Sequence, residues 1–299
     1  MQTIEQAMEA LHRKRTQIRI CLLIVTGIVI TAVILGFVMH MVWPGVILLA
    51  AAMALYAGYV RPSDHRYGEM FGQAVLRFGT FSKLHNLELA PKGSLSTERF
   101  QELAMFPLME GEKSLMVRNS VEGDFGGMHL TASETTFHYK IEKQAKKYYK
   151  FLSGSLLIAD LKGNRSGDWL LLQKGLLNEE IQQETVKNNR FRVCELQDDF
   201  LKNHYVLYTR NEDGSRLPEE AEQQIRRLAQ KIEWISAVRL YADGAAVFMN
   251  KRFYLGNRRT NIDPKPEDFR KNTLPEREEL FSFFRWWGEL REPDRREKE

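Results

Sequence analysis

Hydrophobic positions fall into two contrasting patterns, a long apolar region near the N-terminus and shorter alternating or helical patterns after it. The run Ile20–Met39 is apolar throughout, about the length needed to cross a bilayer core of roughly 30 Å. A second run, Val46–Val60, is shorter and recruits the residues from Trp43 onwards to complete its span. Because Pro44 suits the first turn of a helix, the pattern predicts two antiparallel transmembrane helices over residues 20–61.

Two other interpretations of this region are a cleaved signal peptide and a buried hairpin of a soluble core. A signal peptide has an apolar region of about 7–15 residues followed by a small-residue cleavage site. Here the apolar run is longer, and the alanine-rich stretch Ala50–Ala54 falls inside the second span. Its length and lack of charge favour the membrane hairpin over both alternatives.

The charges beside the hairpin predict its orientation. Basic residues precede the first span and follow the second, and the connecting turn has no Lys or Arg: Arg13, Lys14, Arg15, Arg19, Arg61 and Arg66. The positive-inside rule then places both termini in the cytoplasm, with the chain crossing the membrane twice. Trp43 at the outer turn, and Tyr56 and Tyr59 near the inner edge, match the aromatic belts of membrane proteins.

Residues 1–19 form a basic, amphipathic N-terminal segment. Thr3 and Gln6 have the spacing of a capping box, and apolar residues then recur at helical spacing. This segment lies on the inner membrane surface, or it extends the first helix into the cytoplasm; both alternatives fit the pattern.

Small residues recur four apart on both predicted spans: Ala32 and Gly36 on the first, and Ala50, Ala54 and Gly58 on the second. This spacing lets helix backbones approach closely. It favours packing of the two spans on each other, and homo-oligomerisation through the hairpin is the alternative.

Residues 62–256 show the mixed pattern of an α+β domain with a mainly antiparallel sheet and flanking helices, because strands outnumber the helical connections that a parallel sheet needs. Period-two patterns predict strands at Leu87–Ala90, Leu115–Val121, Gly126–Leu130, Thr135–Ile141, Phe151–Leu161, Trp169–Leu172, Arg190–Leu196, His204–Thr209, Ile235–Tyr241 and Ala245–Met249. Period-3.6 patterns predict helices at Tyr67–Phe78, Thr97–Met105, Asn178–Val186 and Pro218–Ile232.

The basic charge belongs to the anchor. Residues 1–61 hold five basic and two acidic residues, a net +3, so only +1 of the whole-chain +4 remains for residues 62–299. This balance provides no electrostatic footprint for nucleic acid. The two cysteines, Cys21 and Cys194, lie in different patterns without ligand spacing, so neither a disulfide nor a metal site is expected.

Several stretches resemble a bacterial membrane protein family that is classified as domain of unknown function number three-one-three-seven. They are the basic N-terminus, the paired spans, and the segments EGDFGGMHLTASETTF, FLSGSLLIADLKG, FRVCELQDDFLKNHYVLYTR, PEEAEQQIRRLAQKI and AVRLYADGAAVFM. The resemblance covers most of residues 10–250 and has no catalytic motif. It implies gene neighbourhoods that encode LemA-type membrane proteins, and so a LemA-type protein as a partner.

Known catalytic and cofactor motifs are absent from the sequence, which has no phosphate-binding loop, dinucleotide fingerprint, nucleophile elbow or paired-His zinc helix. No cofactor is therefore expected. Asp124-Phe125-Gly126 spells a kinase tripeptide but favours a turn between strands. His129 and His138 are predicted to face each other across a hairpin with Glu134 at its tip, as polar sheet positions or as part of an unrecognised site.

Three surface candidates remain. Glu195, Asp198 and Asp199 form an acidic cluster that is typical of a solvated turn. Six basic and aromatic positions follow at 143–150: Lys143, Lys146, Lys147 and Lys150, interleaved with Tyr148 and Tyr149. They form a solvated face or a contact for lipid headgroups.

The C-terminal segment 257–299 is charged and contains an amphipathic aromatic helix. Its apolar stripe consists of Leu280, Phe283, Phe284, Trp287 and Leu290. Such a stripe packs on its own domain, on a protein partner or on the membrane.

Two functional hypotheses follow. The first is a non-enzymatic inner-membrane protein whose cytoplasmic domain mediates interaction or assembly. The second is a membrane-tethered enzyme or ligand-binding domain with a site near His129, Glu134 and His138.

Overall fold

The computed structural model describes residues 3–90, 93–108, 114–143, 146–161, 167–212, 216–252, 264–271 and 276–289, and for residues 140–150, 270 and 271 within these ranges only the backbone. The chain is divided into two compact units. Unit 1 comprises Met1–Ser82 and Tyr254–Thr273, and unit 2 comprises Lys83–Phe253 and Leu274–Glu299. Residues 62–82 therefore belong with the apolar helices, whereas the sequence pattern grouped them with the domain that follows.

Unit 1 is built from long helices. They are α1 (Ile4–Val33), α2 (Val42–Leu55) and α3 (Arg61–Val75), extended by π-helical turns at Ile34–Val38, Tyr56–Val60 and Leu76–Thr80. Thr3 and Gln6 make the predicted capping box at the start of α1. Since α1 runs unbroken from Ile4, the N-terminal segment extends the first helix and does not form a separate helix.

The core of unit 1 is formed where the basic end of α1 meets α3. Leu11 and Ile18 of α1 pack against Tyr67 and Phe71 of α3, and the short helix α8 (Pro266–Lys271) adds Phe269 to this cluster. Phe269 lies 5.6 Å from the Phe71 ring, centroid to centroid. Between this core and the α1–α2 turn, most apolar side chains are exposed.

Close approach of α1 and α2 depends on one glycine. A Cβ at Gly45 would lie 2.9 Å from the Ala32 carbonyl oxygen and 3.3 Å from the Gly36 nitrogen. Ala32 and Gly36 therefore serve the packing of the hairpin on itself, as the sequence favoured. Ala50, Ala54 and Gly58 of the second helix are exposed.

Unit 2 is centred on a nine-stranded sheet in which every described pairing is antiparallel, with strand order β1-β2-β3-β4-β9-β8-β5-β7-β6. The strands are β1 (His85–Ala90), β2 (Leu115–Phe125), β3 (Met128–Lys143), β4 (Lys146–Asp160), β5 (Trp169–Gln173), β6 (Arg192–Cys194), β7 (Tyr205–Thr209), β8 (Ile235–Tyr241) and β9 (Gly244–Met249). The predicted α+β class, with helices preceding a mainly antiparallel sheet, is confirmed.

Helices pack on both faces of this sheet. One face buries Phe137, Leu156 and Phe248 under Phe100 of α4 (Thr97–Glu102) and under Ile181 of α5 (Glu179–Asn188). The helices α6 (Asp199–His204), α7 (Glu219–Lys231) and α9 (Arg277–Glu289) complete the unit. Gly288 of α9 lies against Met128 and Leu161, which point away from the first face because side chains alternate along a strand.

Several predicted elements differ from the structure. β2 and β3 are longer than expected and meet at a turn over Gly126-Gly127, so the break expected between Leu130 and Thr135 does not exist. The predicted strand Arg190–Leu196 shrinks to Arg192–Cys194, and α6 occupies what the sequence presented as a link. Both cysteines are free.

Candidate functional site

Titratable side chains line up across the sheet at the end where the β2–β3 turn lies. His85 of β1 is paired with Asp124 of β2, Asp124 with His129 of β3, and His129 with Asp160 of β4. The line continues through Gly244 to Tyr241 of β8. Because directly paired residues share a face, these five side chains (His85, Asp124, His129, Asp160 and Tyr241) form one polar row.

The tight turn after β2 positions the centre of the row. Gly126 and Gly127 have φ values of +57° and +82°, the combination that a two-residue turn of type I′ requires and that glycine adopts without strain. The turn brings Asp124 and His129 opposite each other. Two consecutive glycines between alternating strands are the sequence signal for this pairing, whereas the predicted turn was placed at Asp124-Phe125-Gly126.

Asp124 and His129 form a hydrogen-bonded pair. His129 Nδ1 lies 3.1 Å from Asp124 Oδ1, and Asn86 Nδ2 donates to Asp124 Oδ2 at 2.9 Å. The hydrogen bond from the Asn86 amide, followed by that from His129, lowers the pKa of Asp124 below its usual value. The carboxylate is therefore ionised at neutral pH and accepts both hydrogen bonds. About half of each side chain is exposed. Such a pair fixes the orientation of the His129 ring at a half-exposed position.

Asp160 continues the row towards the interior. It forms an ion pair with Arg99 of α4, and Arg99 also contacts Glu102 at 3.0 Å. The Tyr241 hydroxyl is buried and has no hydrogen-bond partner among the described residues. Burial, reinforced by the charge of Asp160, raises the pKa of Tyr241, so this phenol stays protonated at neutral pH.

Beyond Tyr241 lies a buried guanidinium. Arg239 of β8 is 2 % exposed, donates from Nε to the Leu103 carbonyl at 3.0 Å and from Nη1 to the Trp169 carbonyl at 3.1 Å, and forms an ion pair with Asp168. Burial lowers the pKa of Arg239 to about 9. The side chain is therefore still charged at neutral pH, and Asp168 supplies its counter-charge.

Phe191 lies beside two guanidiniums. Its ring centroid is 4.8 Å from Arg239 Cζ and 4.5 Å from Arg210 Cζ, within the range of cation–π contacts. Arg210 Nε also donates to the Asn189 carbonyl at 2.6 Å. Protein acceptors use the donors of Arg239, which link β8 to Trp169 of β5 and to Leu103, directly after α4. This part of the site therefore has a structural role.

The predicted site of His129, Glu134 and His138 is wrong in its geometry. All three lie on the single strand β3, so no hairpin tip lies between them. Nine residues along a strand separate His129 from His138 by about 30 Å, on opposite faces. Glu134 instead accepts from Asn119 Nδ2 at 2.9 Å, and the His138 ring lies 6.1 Å from the Phe151 ring.

The described residues form no metal cluster, and Asp198 of the acidic cluster has a structural role. Within the described ranges, no group of three or more His, Cys, Asp or Glu residues converges to hold a metal ion. Of the acidic cluster, Asp198 caps α6 by accepting from the Leu201 N–H at 2.9 Å and contacts Arg226 at 2.8 Å. Glu222 of α7, 2 % exposed, accepts from the backbone of Gln197 and Asp198. Asp198 is thus a structural cap.

Most residues predicted to lie at the membrane interface are exposed. Trp43 is 78 % exposed, Tyr56 and Tyr59 are exposed, Arg13, Arg19 and Arg61 are exposed, and Lys14 Nζ lies 6.0 Å from the Tyr59 ring. Arg15 differs, because it is only 4 % exposed. It belongs to the interior of unit 1 and is not available to lipid headgroups in this structure.

The aromatic stripe of the C-terminal helix points inward. Leu280, Phe283, Phe284 and Trp287 are at most 3 % exposed, and Trp287 Nε1 donates to the Gly244 carbonyl at 3.1 Å. Of the three alternatives, packing on its own unit is the arrangement observed, so these four side chains present no contact surface to a partner or to lipid. Leu290 lies outside the described residues.

Comparisons with known proteins add little. No protein-family model matches the chain, and no curated protein matches it at a significant level. Among solved structures, the chain is similar to the mycobacterial trehalose monomycolate transport factor A, with a TM-score of 0.33 and 13 % identity, over 72 % of this chain and 94 % of that one. A likeness at this TM-score carries no inference.

Proposed function

We propose that this chain is a non-enzymatic membrane protein, anchored by its helical hairpin, whose α+β unit mediates interaction or assembly at the cytoplasmic face of a bacterial inner membrane. One observation carries the anchoring. The helices Ile4–Val38 and Val42–Thr80 are long and apolar enough to cross a membrane, yet only 6 % and 11 % of their most apolar windows are buried within the chain. A core helix of a soluble protein is mostly buried instead.

Large apolar side chains of the same helical hairpin are exposed. Leu23 is 73 % exposed, Phe37 82 % and Met53 71 %. Each large apolar side chain left in water forfeits about 1.5–3 kcal/mol relative to burial, so an uncovered hairpin of this kind is costly outside lipid. A bilayer covers these side chains without a protein partner.

Charge supports the orientation. Arg13, Arg19 and Arg61 are exposed at the end of the hairpin opposite Trp43, and the connecting turn holds no Lys or Arg. The positive-inside rule then keeps both termini in the cytoplasm.

Cysteine accessibility tests anchoring and orientation. In the full chain with Cys21→Ser and Cys194→Ser, His40→Cys reports on the turn and Lys187→Cys on α5. A membrane-impermeant maleimide added to intact spheroplasts is expected to label position 40 only, and to label position 187 after permeabilisation. Labelling of position 187 in intact cells, or release of the chain from membranes by alkaline carbonate, would refute the proposal.

The partner is proposed to be another membrane protein, a LemA-type protein in the first place, on the resemblance to domain of unknown function number three-one-three-seven. Cross-linking in intact cells followed by purification of the full chain is expected to recover one membrane protein reproducibly. The alternative result is a cross-linked dimer of the chain itself that is lost in the Ala54→Phe, Gly58→Phe variant. This result would place a homo-oligomer contact on the exposed face of the second helix. Recovery of the monomer alone would count against assembly.

A further inference from the structure

We propose that the projecting part of the β3–β4 hairpin, residues 138–143 and 146–151, docks on the anionic headgroups of the bilayer that holds the anchor. This segment is called the β-arm below. The proposal rests on the membrane anchoring proposed above, and it adds a second, electrostatic contact with the same membrane.

The β-arm extends beyond the described pairs that β3 and β4 make with their neighbouring strands. Six cross-strand pairs, from His138–Phe151 to Lys143–Lys146, hold its backbone together. Among the described residues, the pairs of β2 with β3 end at Leu115–Phe137, followed by one hydrogen bond from the His138 N–H to the Ser114 carbonyl at 2.8 Å. The described pairs of β9 with β4 begin at Ser155. At about 3.3 Å per residue, the paired strands of the arm are roughly 20 Å long.

Positive charge is concentrated on this arm. Residues 138–151 contain five lysines and one glutamate, a net +4, whereas residues 62–299 together carry only +1. The rest of residues 62–299 therefore has a net charge of −3. A positively charged arm on an otherwise negatively charged domain favours binding to an anionic surface over mere exposure to solvent.

Exposed apolar side chains lie at the base of the arm. Phe151 is 67 % exposed and Met116 of β2 is 42 % exposed. Met116 pairs with Thr136 and Phe151 pairs with His138, and because Thr136 and His138 are two residues apart, both apolar side chains lie on one face of the sheet. Lysines close in sequence to an exposed aromatic residue are typical of segments that lie at a membrane surface.

Tethering favours lipid over a free acidic protein as the occupant. The chain passes directly from unit 1 to unit 2 at Ser82–Lys83, so the arm samples the membrane at a high effective concentration. Each lysine close to an anionic leaflet strengthens association by roughly fivefold, and the attraction falls off within a Debye length.

The test uses an environment-sensitive fluorophore on the full chain in nanodiscs. In the Cys21→Ala, Cys194→Ala background, the label is attached to Phe151→Cys, with Val193→Cys as the control because Val193 is 72 % exposed on β6. In nanodiscs of phosphatidylcholine and phosphatidylglycerol in equal amounts, we expect the emission at position 151 to shift to the blue. We expect no shift in phosphatidylcholine alone, none at about 0.5 M salt, and none at position 193.

Lysine variants make the test specific. Replacing three lysines of the arm together is expected to weaken the association about 100-fold: Lys143→Gln, Lys146→Gln and Lys147→Gln. The control replaces three exposed lysines elsewhere, which changes the net charge equally and leaves the emission shift intact: Lys83→Gln, Lys187→Gln and Lys231→Gln. Equal emission in the two lipid compositions, or equal loss in both triple variants, would overturn the proposal. Incorporation of the chain into nanodiscs is scored separately, so failure of the anchor is distinguished from failure of the arm.

Discussion

At the scale of single residues, Arg239 shows how a charge is accommodated inside the sheet domain. Its guanidinium is 2 % exposed and is neutralised by Asp168, and it donates hydrogen bonds to the Leu103 and Trp169 carbonyls. A buried ion pair adds little net stability compared with an apolar core, but removing one partner leaves the others unsatisfied. The consequence is a position that tolerates substitution poorly.

Arg239→Ala is therefore expected to lower the free energy of unfolding by about 3–5 kcal/mol. Arg226→Ala is the matched control, since its ion pair with Asp198 is 2.8 Å long but 47 % of the Arg226 side chain is exposed, and exposed pairs contribute at most about 1 kcal/mol. Urea unfolding of the detergent-solubilised chain, followed by tryptophan fluorescence, measures both. Equal losses in the two variants would contradict the structural role of Arg239.

The burial and the partners of Arg239 could not be predicted from the local sequence. In the run AVRLYADG, Arg239 occupies the place of a solvent-facing residue in an alternating strand. Its acceptors lie 136 and 70 positions away along the chain, so no local pattern contains them. The pairing of His129 with Asp124, by contrast, spans five positions, and the two glycines between them were a readable signal.

At the scale of elements, the two C-terminal helices complete different cores. Phe269 of α8 is 0 % exposed in unit 1, and Phe284 of α9 is 0 % exposed in unit 2. The amphipathic pattern of α9 was correctly identified, but the pattern alone gives only the existence of an apolar face and not the surface that covers it.

Hydrogen exchange of the full chain in detergent separates the two roles. Truncating a buried phenylalanine costs about 3–5 kcal/mol, so Phe269→Ala is expected to speed exchange in the parts of α1 and α3 that form the core of unit 1. Phe284→Ala is expected to speed exchange in α7 and β9 instead. Phe151→Ala, at an exposed position, serves as the control and should change neither; accelerated exchange throughout the chain for either core variant would show that the two units unfold together.

At the scale of the whole molecule, the chain enters unit 2 at Lys83, returns to unit 1 near Tyr254 and enters unit 2 again at Leu274. Unit 1 consists of the apolar hairpin and the helical core formed by α1, α3 and α8. Unit 2 contains the sheet, the polar row and the β-arm. This division separates anchoring from the surfaces available to partners, in line with the proposed role.

The sequence by itself determined the paired apolar helices, the capping box at Thr3, most strands and the α+β class, because each follows from a local length or period. It could not determine that Arg15 and the aromatic stripe of α9 are buried, that β3 is one strand through His129 and His138, or that Arg239 is paired with Asp168. Tertiary structure decided these, because burial and ion pairing depend on partners brought together from distant parts of the chain, and solvent exposure is a property of the packed molecule.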